Sequence, residues 1–189
     1  LLKKEQLDGV DICLPHGLHH SVAIACMEAG LHVLCEKPLG VTIKACRAMA
    51  ETADRTGKIL STAVPHRRQP GQRTAHWIFN EAKLIGDPLT FFHHYTRPPV
   101  RQTSNDPVPP AVVWRRDRLM SGGGPALDSG FHYCDSLRYF FGDIERIYAE
   151  LRELKTGQPK GPQEAPEDTM FVTFTFKSGI VGNWSLSLA

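Results

Sequence analysis

The sequence predicts an α/β chain: a parallel βαβαβ unit, then an α+β domain with a mostly antiparallel sheet. Three apolar runs, at residues 10–14, 32–36 and 59–64, alternate with two helix-like segments across short loops. That order makes neighbouring strands parallel and their crossovers right-handed. After Pro65 the order stops, and strand-like runs ending in a hairpin signal replace it. The domains are therefore placed at residues 1–66 and 67–189.

Each element has a local reason. Val10-Asp-Ile-Cys-Leu14 is a short apolar run, fit for a buried strand, and residues 15–20 are its exit loop. Residues 21–29 carry Val22, Ile24, Ala25 and Met27 at helical spacing, and Gly30 stops them. The second strand is 32–36. Thr42 caps a helix reaching about Arg55, which Gly57 closes. Residues 59–64 form the third strand. Pro70 or Gly71 opens a helix through Glu81, and residues 88–95 form a strand in which Leu89 and Phe91 alternate with more polar neighbours. Residues 97–113 hold five prolines and read as a long loop. One helix is predicted over 125–140, ended by Gly142-Asp143, and a strand over 144–154. Residues 155–167 are rich in Pro, Gly and charge, as surface loops are. Strands 169–176 and 180–188 flank Lys177-Ser-Gly179, a hairpin signal, with Phe171, Phe174 and Phe176 as packing residues. The second half is thus expected to form an antiparallel sheet with helices on one face.

Composition narrows the function classes. Of 189 residues, 41% are hydrophobic and 22% charged, ordinary for a chain with a real core. A formal charge of +2 is too small to argue for nucleic acid or an anionic membrane. No apolar run reaches membrane-span length. The five cysteines are odd in number and lack a C-x-x-C, so they read as small buried hydrophobes of a reducing compartment, by default the cytoplasm. His16, His19 and His20 cluster, but no acid or thiol spacing completes a metal site.

Two motifs carry chemistry. Glu36-Lys37-Pro38 lies where the second strand ends, the edge at which open α/β sheets bind ligands. Gly122-Gly-Gly-Pro-Ala-Leu-Asp128-Ser-Gly-Phe-His132 puts an acid and a histidine four residues apart, on one face of a helix. A lysine can stabilise a developing alkoxide, an aspartate can orient a hydroxyl or an imidazole, and a histidine can take a proton near neutral pH. Alone, Glu-Lys-Pro is an ordinary turn and Asp-x-x-x-His an ordinary surface pair; their order and register make the case. Trp114, Arg115 and Arg116 stand before the glycines, as a pocket wall binding substrate oxygens or as solvated surface. His93 and His94 point to opposite sides of their strand.

A βαβαβ unit is half of a dinucleotide-binding fold, whose other half carries Gly-x-Gly-x-x-Gly. That fingerprint is absent here, so the chain is expected to be an internal piece of a longer enzyme, its first domain the second half of a Rossmann-type sheet. Pro15-x-x-x-His19, Glu28-Ala-Gly30-Leu-His32-Val-Leu-Cys-Glu36-Lys37-Pro38, Arg68-x-Pro70, Gly86-Asp-Pro88 and Gly122-Gly-Gly-x-x-x-Asp128-x-Gly130-x-His132 together resemble the Gfo/Idh/MocA (glucose–fructose oxidoreductase / inositol dehydrogenase) family.

The resemblance implies a nucleotide-binding domain and a sheet domain that supplies the substrate pocket and often the oligomer face. It implies NAD or NADP as cofactor and a sugar, inositol or related polyol as substrate. Lys37, Asp128 and His132 would be catalytic, with His132 the proton acceptor. Pro15, His19, Glu36, Lys37 and His66 would line the cofactor; Asp128 and His132 would meet the substrate. A homo-oligomer formed through the second-domain sheet is expected, with no nucleic-acid or membrane partner and no metal. Family resemblance also suggests a cis peptide before Pro38. The alternative is an NAD-dependent glycoside hydrolase or lyase that oxidises its substrate transiently, which the same Lys, Asp and His could serve.

Overall fold

The computed structural model describes residues 2, 4–96, 113–154 and 167–189. The five-proline loop and most of the charged loop lie outside these residues. The described chain divides into two compact units: residues 2 and 4–63 with 113–123, and residues 64–96, 124–154 and 167–189. Residues 113–123, which the sequence assigns to the second domain, cluster with the first.

The first unit is the expected βαβαβ. Strands β1 (Gly9–Ile12), β2 (His32–Cys35) and β3 (Leu60–Thr62) form a parallel sheet in the order β1-β2-β3. Helices α1 (His19–Glu28) and α2 (Ile43–Thr56) connect them. The Thr42 hydroxyl caps α2, accepting the Ala45 N–H at 3.1 Å, and Gly57 ends that helix at φ 66°, a left-handed conformation that glycine adopts without steric cost. The core is a single cluster: Ile12, Val33 and Cys35 from the sheet, Ala23, Cys26 and Met27 from α1, and Met49 from α2.

The second unit contains a four-stranded sheet in the order β4-β7-β6-β5, from β4 (Thr90–Thr96), β5 (Ile144–Arg152), β6 (Thr169–Phe176) and β7 (Val181–Ser187). Pairs β5–β6 and β6–β7 are antiparallel and β4–β7 is parallel, so the sheet is mostly antiparallel, as expected, with one parallel pair. Alternating apolar residues reveal a strand and not its direction, which is why the sequence missed this pairing. Helix α3 (Pro70–His76) runs on into a π-helical turn over Trp77–Glu81. Helix α4 (Gly130–Phe141) lays Leu137 against Met170, Val172, Phe174, Phe176 and Trp184. Phe171 corrects its expected packing role: it alternates with Val172 along β6, so it falls on the other face and is 51% exposed.

The helix predicted over 125–140 is interrupted. A single turn spans Pro125–Asp128, Ser129 intervenes, and α4 follows. The His132 N–H bonds the Ser129 carbonyl at 3.1 Å rather than that of Asp128. Asp128 and His132 therefore lie either side of a break, not within one regular helix.

Candidate active site

The candidate residues divide between the two units. In the first, parallel strands send their exit loops to one edge of the sheet. Pro15 follows β1 there, and Glu36 and Lys37 follow β2. The Glu36 N–H continues the ladder onto Ile12 O at 3.0 Å, and the Glu36 carboxylate accepts the Lys37 N–H at 3.1 Å. Lys37 is half-buried, and the Lys37–Pro38 peptide is cis. At the same edge the Thr62 hydroxyl ends β3, buried and without a hydrogen-bond partner among the described residues. A buried polar atom left in this way suits a polar ligand.

His19 is buried completely, with Nδ1 2.9 Å from the Pro38 carbonyl and Nε2 2.8 Å from that of Leu14. Both ring nitrogens therefore face the main chain. His16 is also buried, with Nδ1 2.9 Å from Ser121 O and its ring edge on Trp114 at 4.6 Å. The Arg115 guanidinium lies 4.6 Å from the centre of the Trp114 ring, a cation–π arrangement on an exposed side chain. The Arg116 side chain lies outside the described residues. Among those residues, no group of three or more His, Cys, Asp or Glu could hold a metal ion.

In the second unit His66 and His132 stack, with centroids 4.1 Å apart and rings 21° from parallel. The stack is held from outside. Arg67 forms a two-pronged ion pair with Asp135, one turn beyond His132, with Nε donating to Oδ2 at 2.8 Å. That pairing pushes the Arg67 guanidinium above its ordinary range. The glycine run ends at Gly124, whose N–H meets the Glu167 carboxylate at 2.6 Å; the Ala126 N–H shares the same oxygen at 3.3 Å. Glu167 thus caps the turn that carries Asp128.

His66 and His132 also line a cavity of about 400 Å³ with Phe91, His93, Tyr133 and Phe141. Its floor is a dyad: the Tyr133 hydroxyl meets His93 Nε2, and the Tyr133 ring stacks on Trp184 at 4.2 Å. Burial lowers the pKa of His93, helped by His94, and raises that of Tyr133. His94, on the opposite face, bonds the Ser185 hydroxyl at 2.7 Å. Sequence reasoning missed Glu167, the Arg67–Asp135 pair and this dyad. Their partners are 40 to 68 positions apart, and no local pattern reports such pairs.

Comparison with known proteins bears on both halves of the chain. Residues 1–64 match the oxidoreductase family with an NAD-binding Rossmann fold, and residues 79–189 match the GFO/IDH/MocA C-terminal domain. The chain belongs to the Gfo/Idh/MocA family of oxidoreductases. Levoglucosan dehydrogenase of Pseudarthrobacter phenanthrenivorans is 31% identical, over 92% of this chain and 47% of its own. Myo-inositol 2-dehydrogenase of Thermotoga maritima is 30% identical, over 96% and 50%. Among solved structures, a levoglucosan dehydrogenase complex with NADH and levoglucosan superposes with a TM-score of 0.81 at 29% identity, covering 98% of this chain and 49% of that one. An oxidoreductase of Thermotoga maritima gives 0.83 at 26% identity, covering 99% and 54%. This Gfo/Idh/MocA chain spans about half the length of the curated relatives it matches.

Proposed function

We propose that the whole protein is an NAD(P)-dependent oxidoreductase that moves a hydride between a nicotinamide and a CH–OH carbon of a sugar, inositol or related polyol. The observation that carries this is that Glu36-Lys37-Pro38 and Gly122-Gly-Gly-x-x-x-Asp128-x-Gly130-x-His132 stand in this order within a Gfo/Idh/MocA chain. The nicotinamide supplies a hydride acceptor and donor. The strand-exit edge suits it, since Pro15, Glu36, Lys37 and the Thr62 hydroxyl, unpartnered among the described residues, collect there.

In this proposal the Lys37 ammonium steadies the oxygen as its proton leaves. Asp128 holds the reacting hydroxyl, and His132 takes the proton. His66, stacked on His132, fixes the plane of that ring. Arg115 and Arg116 bind substrate oxygens from the segment before the glycines. The five free thiols fit a reducing cytoplasm. The outer face of the second-unit sheet, with Phe92 85% exposed, fits a homo-oligomer.

The test is the absorbance of reduced nicotinamide, followed with NAD⁺ or NADP⁺ and a panel of myo-inositol, D-glucose, D-xylose and levoglucosan. Lys37→Ala should lower kcat/KM by about a hundredfold or more, as the loss of a catalytic group does. The oxidation rate should fall as pH drops through the imidazole range, and His132→Asn should abolish that limb with most of the rate. An unchanged limb in His132→Asn would assign the proton to another group. Bond cleavage without accumulation of reduced nicotinamide would instead mark a glycoside hydrolase or lyase.

A further inference from the structure

We infer that His19 is a positioning residue for Lys37: its buried ring ties the turn after β2 to the turn after β1 and so fixes where the lysine points. The inference rests on the proposed catalytic role of Lys37 and adds to it a residue that the resemblance had placed against the cofactor.

The geometry is specific. His19 opens α1 and is 0% exposed. Its Nε2 lies 2.8 Å from the carbonyl of Leu14, two residues past β1, and its Nδ1 2.9 Å from that of Pro38, three residues past β2. One imidazole therefore spans the exit loops of two neighbouring parallel strands. Carbonyl oxygens only accept, so a ring N–H is the donor toward either one, and both ring nitrogens are turned to main-chain oxygens. No nitrogen is then left for a dinucleotide.

What the ring holds is the segment carrying Lys37. On the upstream side the backbone is pinned by the Glu36 N–H on Ile12 O at 3.0 Å, the last rung of the ladder. On the downstream side Pro38 has no N–H to offer, so its carbonyl is the group by which the turn can be held. His19 holds it. Lys37 sits between the two anchors, its own N–H closed onto the Glu36 carboxylate. Removing the ring would leave the upstream anchor intact and take away the bond on the Pro38 carbonyl, so that the turn carrying Lys37 shifts while the sheet stays formed.

The experiment is a double-mutant cycle in the whole protein with His19→Phe, Lys37→Ala and the pair, following reduced nicotinamide with NAD⁺ and the panel sugar that gives turnover. NADH affinity is measured separately by fluorescence titration. His19→Phe should lower kcat by about tenfold or more while NADH affinity changes less than about twofold, because the lysine is misdirected and the dinucleotide is not lost. In the Lys37→Ala background His19→Phe should cost less than about a further twofold, since two residues acting through one group do not multiply their losses. His19→Gln, whose amide can donate to one of the two carbonyls, should recover part of kcat.

Losses that multiply in the double variant would overturn the inference. So would a weakened NADH affinity at unchanged kcat, which would put His19 on the cofactor. His19→Phe with full kcat beside an inactive Lys37→Ala would remove the clamp and leave the lysine's role standing. Full kcat in Lys37→Ala would instead remove the lysine itself. Thermal melts accompany each variant. If His19→Phe does not fold, the cycle is run with His19→Gln; if neither folds, the ring serves the fold and the positioning role is wrong.

Discussion

Gly124 shows how one missing side chain fixes the approach of another. A Cβ built there would lie 2.4 Å from the Glu167 carbonyl oxygen and 2.9 Å from its carboxylate. No rotamer relieves a clash with backbone, so Gly124→Ala must move the Glu167 segment and break the cap over Asp128. We expect a loss of about 1–3 kcal/mol, the usual cost of overpacking, read as a lower urea midpoint. Glu167→Gln keeps an acceptor oxygen of the same shape and should cost less than about 1 kcal/mol. An alanine variant of full stability would mean that Glu167 does not sit on the glycine run. The thiols give a second expectation at this scale. Burial, with Glu36 and Asp11 nearby, pushes the Cys35 thiol up to about 12, while Cys13 is exposed. Mass spectrometry after mild iodoacetamide treatment of the native protein should find Cys13 modified and Cys35 intact. Early labelling of Cys35 would mean that β2 opens readily.

At the scale of elements, β4 and α4 meet through His93 and Tyr133. Burial, aided by the neighbouring His94, holds His93 below the ordinary imidazole range, so the folded protein takes up this proton less readily than the unfolded chain. Between the two pKa values the unfolded state binds more protons. The contribution of His93 is therefore present above the unfolded value and lost as pH falls toward the folded one. The melting temperature should drop between roughly pH 7 and pH 5, and His93→Gln should show a shallower drop. Equal slopes would place the titration elsewhere. Local elements of this kind were legible in the sequence. The strand that delivers Lys37 was legible because an apolar run ended at a polar turn, and α2 because Thr42 and Gly57 bracket it. The break at Ser129 and the parallel β4–β7 pair were not, since helical period does not report a single missed backbone bond and alternation does not report direction. The candidate site was half legible. Lys37, Asp128 and His132 stood in motifs, whereas Glu167 and the Arg67–Asp135 staple act across long separations that carry no spacing signal.

At the scale of the whole molecule, the second-unit sheet has one face on its core and one open. The register sets four rows across the open face: Thr90, Val181, Thr175 and Arg146; Phe92, Asn183, Thr173 and Tyr148; His94, Ser185, Phe171 and Glu150; Thr96, Ser187, Thr169 and Arg152. Phe92 is 85% exposed, Tyr148 66% and Phe171 51%. Aromatic and β-branched side chains dominate these rows, and their charges, Arg146, Glu150 and Arg152, sit on the β5 edge. A monomer seldom exposes aromatics on adjacent rows of one sheet, while a sheet that packs against a second copy needs them there. The proposed homo-oligomer would use this face isologously, with Phe92 on its β4 edge. Phe92→Glu would then place a carboxylate in a desolvated seam, a penalty carried by the assembly and absent in the monomer. Light scattering after size exclusion of the whole protein should show more than one copy for the wild type and a shift toward the monomer for Phe92→Glu. The thermal melt of the variant, extrapolated to low protein concentration, should match that of the wild type. A wild type that is monomeric at micromolar concentration, or a glutamate variant that assembles unchanged, would move the interface off this sheet and leave Phe92 and Phe171 for some other partner.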